Sequence, residues 1–415
     1  MEKHGKVLGL LVITLVLVLS IALSACGEAD DDGVVEKKVT IGLALAMTGA
    51  TASITSENNI GQLDRIAWVN DQGGIADGVM INANWIETGL NVPKEIIAYR
   101  RFVEDGAVVS YHMSENSIMP LASTLERSGV AIFSTTQFNV SLRTQPLQWI
   151  VMSGAGWGNG VATLVQWILE NWTEGRPPRI GVLGAESPST HQSVDAAEWL
   201  DDDIGFEFIG YEIVPMVGLL DATTELLRLQ NKDPDFIYTS LWGSGLVTGM
   251  NDISRLELQE EGIGFCQASS GIDPGIISIA GANAANGWYV WYMYPQAEEL
   301  DFSEPQLAGI LEMAKSERGK ERDEIGPNYA EGHYTQMYML GAVEAAIEEV
   351  GYENLTGHAV RDSLTSMTFD AAGAMDPVTI TDARPFFQPN NRVYQVQQGK
   401  LIGVSDWIEP YYYLD

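Results

Sequence analysis

The chain has 415 residues, 46% of them apolar, and a formal charge of −33 from 56 acidic against 23 basic side chains. That length suits two domains of ordinary size, each with a real core. The charge argues against nucleic acid, whose phosphates demand Lys and Arg, and against direct docking on anionic lipid; it reads as a solvated acidic surface.

Lys3 and Lys6 precede an uncharged run from Val7 to Leu23, which ends at Leu23-Ser24-Ala25-Cys26. A charged start, an apolar centre and a small-residue cleavage site describe a secretory signal over residues 1–25. The apolar run is at the low end for a spanning helix. Leu-Ser-Ala-Cys resembles the lipobox of bacterial lipoproteins, which implies that Cys26 is diacylated and becomes the first mature residue. The alternative is an uncleaved anchor helix. Residues 26–38 carry Glu28, Asp30, Asp31 and Asp32 without apolar partners, the pattern of a solvated tether. With Cys26 lipidated, Cys266 has no disulfide partner. Its setting, Ile263-Gly264-Phe265-Cys266-Gln267, reads as a buried strand, so Cys266 is expected in the core.

Strand and helix patterns then alternate. Strands are expected over 39–45, 80–86, 107–110 and 130–133, and helices around 60–69, over 93–104, opening on Pro93, and over 117–127. A second series follows Gly154-Ala155-Gly156-Trp157-Gly158-Asn159-Gly160, in which Gly154-Ala155-Gly156 reads as a hinge turn rather than as half of a dinucleotide loop. It runs helix 161–171, strand 180–183, helix 191–200, strand 207–214, helix 222–230, strand 236–239, helix 246–256 and strand 263–267. A strand over 287–292, two helical patterns near 305–316 and 328–350, and extended pieces around 393–396 complete the chain. Short apolar strands alternating with helices imply parallel sheets covered on both faces. The expected class is α/β, with two doubly wound lobes and a cleft beyond the carboxyl ends of their strands.

Several segments in this order resemble type I periplasmic binding proteins, and within them the branched-chain amino acid (leucine/isoleucine/valine) binding proteins of ABC importers. They are Val39-Thr40-Ile41-Gly42-Leu43 with Met47-Thr48-Gly49, Val69-Asn70-Asp71-Gln72-Gly73-Gly74-Ile75, Asp235-Phe236-Ile237-Tyr238, and Ala284-Ala285-Asn286-Gly287. The resemblance implies three crossings, near 147–155, 287–292 and 369–378, and a cleft that closes like a hinge. Lobe 1 would comprise 37–150 plus 290–368, and lobe 2 151–289 plus 369–415. It also implies a small-molecule solute, permease subunits of an ABC importer as partners, contact with the membrane through the lipid anchor alone, and a monomer.

The resemblance also implies site residues. Ser114, with Ser117 next, matches the serine that holds a ligand carboxylate, although Ser110-Tyr111-His112 stands where glycine is usual. Both are also placed to cap a helix. Thr136 falls on a binding position, and Phe138 stands where a threonine is usual. Ser189 lies where a cleft-facing aromatic is frequent. Trp242 follows a strand where an aromatic caps the ligand, and Trp157 borders the first crossing; such rings suit a pocket wall. Ser269 stands where amino-acid binders place an acid for the ligand ammonium. Either Asp273 supplies that charge or the ligand carries no ammonium, as with urea, short amides and aliphatic or aromatic acids.

The five histidines are scattered, and no metal, phosphate-loop or nucleophile-elbow motif is present. No cofactor, metal or catalytic residue is therefore expected. A ligand-sensing receptor domain and a secreted hydrolase remain as readings of other classes.

Overall fold

A computed structural model describes residues 36–49, 52–135, 149–152, 154, 156–269, 271–364, 367–379, 389–409 and 411, with the side chains of 53, 54 and 202 left aside. The signal, Cys26 and most of the tether lie outside the described residues, as do Thr136 and Phe138.

The chain opens with β1 (Lys38–Leu45), α1 (Ala52–Asp71), β2 (Met80–Glu87), α2 (Val92–Glu104) and β3 (Val109–Tyr111). α2 starts where expected, because Asn91 accepts a bond from the Lys94 backbone N–H at 3.2 Å and Pro93 fits the first turn. The single helix expected over 117–127 is instead α3 (Glu115–Leu121), a 3-10 turn, and α4 (Leu125–Ser128). Pro120 lies within α3, and its ring supplies no N–H to carry the helix forward. β4 (Ala131–Ser134) and β5 (Ile150–Met152) complete a parallel sheet of order β2-β1-β3-β4-β5.

The second lobe begins with α5 (Trp157–Asn171). It starts four residues before the expected 161, so its first turn takes in Gly158 and Gly160. Gly160 is required there, because a Cβ would collide with the Trp291 indole. β6 (Arg179–Ala185), α6 (Pro188–Ile204), β7 (Glu207–Val214), α7 (Thr223–Gln230), β8 (Phe236–Ser240), α8 (Ser244–Arg255), β9 (Gly264–Gln267), α9 (Pro274–Ala280), α10 (Ala282–Ala285) and β10 (Tyr289–Tyr292) follow. The expected lobe boundary at 289/290 falls inside β10, which pairs in parallel with β9 and so belongs to this second sheet. Tyr238 and Cys266 pack toward one face of the sheet, while Ile237 and Phe265 pack toward the other. That is the two-sided burial of a parallel sheet. Burial drives the Cys266 thiol far above its ordinary pKa, so it is an inert core residue.

The chain returns to the first lobe with α11 (Pro305–Arg318), α12 (Pro327–Val350) and α13 (Gly357–Ser363), then forms a small ladder of β11 (Thr368–Phe369) and β12 (Val378–Thr379). β13 (Arg392–Gln397) and β14 (Lys400–Gly403) extend the second sheet, which runs β14-β13-β10-β9-β8-β6-β7. Both join antiparallel, so this sheet is parallel only from β7 to β10.

α1 and α12 cross at close range in the first lobe. A Cβ on Gly332 would strike the Asn58 carbonyl, and one on Gly61 would strike the Tyr329 carbonyl. The two glycines let the backbones touch, which brings Asn58 and Glu331 side by side.

Candidate functional site

Strand order reverses at β1/β3 in one sheet and at β6/β8 in the other. These are the switch points where open α/β sheets leave a crevice beyond their carboxyl ends. A cavity of about 250 Å³ lies there, with walls from both lobes. Leu90 follows β2, Met113 and Ser114 follow β3, and Thr135 follows β4. Glu186, Ser187 and Ser189 follow β6, Met216 follows β7 and Trp242 follows β8. Helices add Thr55 and Asn58 from α1, Glu115 and Asn116 from α3, Trp157 from α5, and Asn328 and Glu331 from α12.

Four of the residues singled out from sequence meet here: Ser114, Trp157, Ser189 and Trp242. Ser114 sits at the N-cap of α3, yet its hydroxyl makes no capping bond. Trp157 and Trp242 pack edge to face, with centroids 4.9 Å apart at 66°, a favourable aromatic geometry. Ser189 shares a 2.8 Å hydrogen bond with Ser187, whose side chain caps α6 by accepting from the Thr190 N–H.

Three others stand elsewhere. Ser117 is fully buried and donates to Glu95 and to the Ser114 carbonyl. Ser269 is buried outside the cleft lining. Asp273 is not a cleft charge either. It caps α9 through the Ile276 N–H at 2.8 Å, and accepts from Asn328 Nδ2 at 2.9 Å. It therefore orients the cleft residue Asn328 from behind.

The charges of the cleft come from residues that sequence reading passed over. Glu331 is 7% exposed and accepts from Asn58 Nδ2 at 3.1 Å. Burial pushes its carboxyl up to about 8. Tyr111, Tyr292 and Tyr294 feel its charge from below the cleft. Tyr111 also shares a 2.9 Å bond with Thr135 and donates to Asn58 Oδ1 at 3.3 Å, so one buried network ties the cleft floor together. Glu115 lines the cleft at 8% exposure, and Glu186 lines it from the second lobe beside His191 at 2.9 Å. No lysine or arginine is among the lining residues described. The one sequence signal for Glu331 is its place in a long apolar helix pattern, where a buried acid calls for a partner.

His112, flanking the Ser114 turn, is buried between Tyr99 and Phe102, and burial holds it neutral, down to about 3. No group of three or more His, Cys, Asp or Glu with metal-ligand geometry occurs among the described residues. No helix among them is long and apolar enough to cross a membrane.

Residues 38–400 match the family model described as periplasmic binding protein. No curated protein matches the sequence. Among solved structures, the fold is similar to a valine-bound branched-chain amino acid ABC transporter protein from Thermus thermophilus, at 18% identity and TM-score 0.75, covering 91% of this chain and 97% of that one. A solute-binding protein of an ABC transporter from Rhodopseudomonas palustris HaA2, in complex with p-hydroxybenzoic acid, is 15% identical with TM-score 0.74, covering 90% and 97%. A fatty acid ABC transporter substrate-binding protein from Thermomonospora curvata is 14% identical with TM-score 0.74, covering 91% and 96%. At these identities the likeness is one of fold.

Proposed function

The chain belongs to the periplasmic binding protein family, and on that premise we propose that it is the extracytoplasmic substrate-binding component of an ABC importer. It captures a small polar solute in the interlobe cleft and presents it to the permease subunits. Amino acids are the default class by resemblance; urea, short amides and small carboxylates are the other classes to test. Cys26 carries the lipid anchor, and the mature protein acts as a monomer.

One observation carries this reading. One cavity at the switch points of both sheets is lined from both lobes, with aromatic, neutral polar and acidic groups on its walls. Such a cleft suits population shift: the open form meets the solute on one lobe, and closure brings the other lobe over it. The apolar body of the solute rests on Trp157 and Trp242, and its polar head meets the Asn58, Ser114, Thr135 and Glu331 side of the first lobe.

A thermal-shift screen of the mature protein against amino acids, amides, urea, amines and small carboxylates tests it. A ligand at a hundred times its dissociation constant adds about 2.7 kcal/mol, a readable rise in melting temperature. Saturable binding without product is the expected result. Chemical turnover of the bound solute would overturn the reading.

A further inference from the structure

The turn after β3 is where the first lobe offers a helix start to a ligand. Two of its donors, the Ser114 N–H and the Ser117 hydroxyl, are already in use. Glu95 on α2 is fully buried directly behind the turn. Its carboxyl accepts from the Ser117 hydroxyl and from Thr88 Oγ1 at 3.3 Å, and the Ser114 backbone N–H is a third donor. An internal carboxyl group thus takes up, from inside, donors of this turn that would otherwise be open to a ligand carboxylate.

The rest of the cleft has the same bias. Three glutamates line it, Glu115 and Glu331 from the first lobe and Glu186 from the second, and no cationic side chain is among its described walls. Glu331 is the most enclosed of the three, with Asn58 donating to it. A carboxylate entering here would lose its water, and the described walls would offer it no counter-charge. An ammonium would find a carboxylate, and the apolar body it carries would rest on the Trp157–Trp242 pair.

We infer that the solute is an organic cation without a carboxylate, its ammonium set against Glu331 and Glu115 and its apolar body on Trp157 and Trp242. This rests on the solute-binding reading above and narrows its class. Glu331 becomes the specificity-determining residue. Capture also carries a proton signature: the buried acid is largely protonated in the empty cleft near neutral pH and gives up its proton as the ammonium arrives. The described groups that face it, Asn58, Tyr111, Tyr292 and Tyr294, are neutral there, so none of them supplies the positive charge that the ammonium brings.

The test uses matched probes on the intact mature protein: choline, butylamine and benzylamine as cations; leucine and valine as zwitterions; isovalerate and benzoate as anions. The cations should raise the melting temperature, and the zwitterions and anions should not. Calorimetry of choline in buffers of different ionisation enthalpy should show proton release. Glu331→Gln should weaken choline more than tenfold, with the empty protein melting at the same temperature or higher. Binding of leucine or benzoate more tightly than the matched amine would overturn the inference while leaving the solute-binding reading intact. So would wild-type choline affinity in a folded Glu331→Gln protein. No response to any of these probes would overturn the inference, and no response to urea and amides as well would overturn both.

Discussion

Replacing Trp242 with alanine removes half of the aromatic wall. Trp242 is half-buried, lines the cleft and packs edge to face on Trp157 at 4.9 Å. A tryptophan presents about 150–250 Å² of surface, and a small solute covering roughly a quarter of that buries about 50 Å² against it. At about 25 cal/mol per Å² this contributes about 1.3 kcal/mol. Losing its partner also frees the Trp157 ring, and such aromatic pairs are worth about 0.5–1.5 kcal/mol. Together the change should weaken solute binding by about 2 kcal/mol, roughly thirtyfold, and at least about tenfold. Calorimetric titration of wild type and Trp242→Ala with choline, and with leucine in parallel, gives the ratio. Far-ultraviolet circular dichroism should be unchanged, because Trp242 sits in the loop after β8 rather than in a strand or helix. Equal affinity in a folded variant would show that the ring does not touch the solute.

Gly332→Ala should push α12 away from α1 at the Asn58 carbonyl, costing about 1–3 kcal/mol of stability and displacing Glu331. Chemical denaturation reads the first effect and solute titration the second. Glu95→Gln should flatten the pH dependence of stability. Burial holds Glu95 at about 7 against an ordinary 4.5, so between those values the folded state binds the extra proton and wild-type stability falls as pH rises. Relative to wild type the glutamine variant should gain on the order of 3 kcal/mol across that window; parallel melting curves at pH 5 and pH 8 would contradict the burial argument. Cys26→Ser should release the protein from membranes on fractionation. Persistent membrane association of that variant would favour an uncleaved N-terminal helix.

Much of the layout was legible in residue order. The periodicity of Val39–Leu45 and its successors marked the parallel strands, and Pro93, Pro305 and Pro327 each fall in the first turn of a helix. The Ser114, Ser189, Trp157 and Trp242 positions emerged from resemblance and do share one cavity. The helix expected from 161 starts at Trp157, because sequence alone does not show an indole pressed on Gly160. Ser117 and Asp273 looked like ligand contacts. In the folded chain their bonding capacity goes to Glu95 and to the cap of α9.

The sequence by itself determined the class of fold, since strand and helix periods are local properties of the chain. Its composition also determined the acidic charge, whereas the aromatic residues of the cleft were named from resemblance. Tertiary structure alone decided which acids line the cleft. Glu331 lies 273 residues from Asn58, and they meet only because Gly61 and Gly332 let α1 and α12 touch. Charge recognition in a buried cleft depends on which donors remain unspent after folding. That count is set by contacts between distant segments, and no local pattern records it.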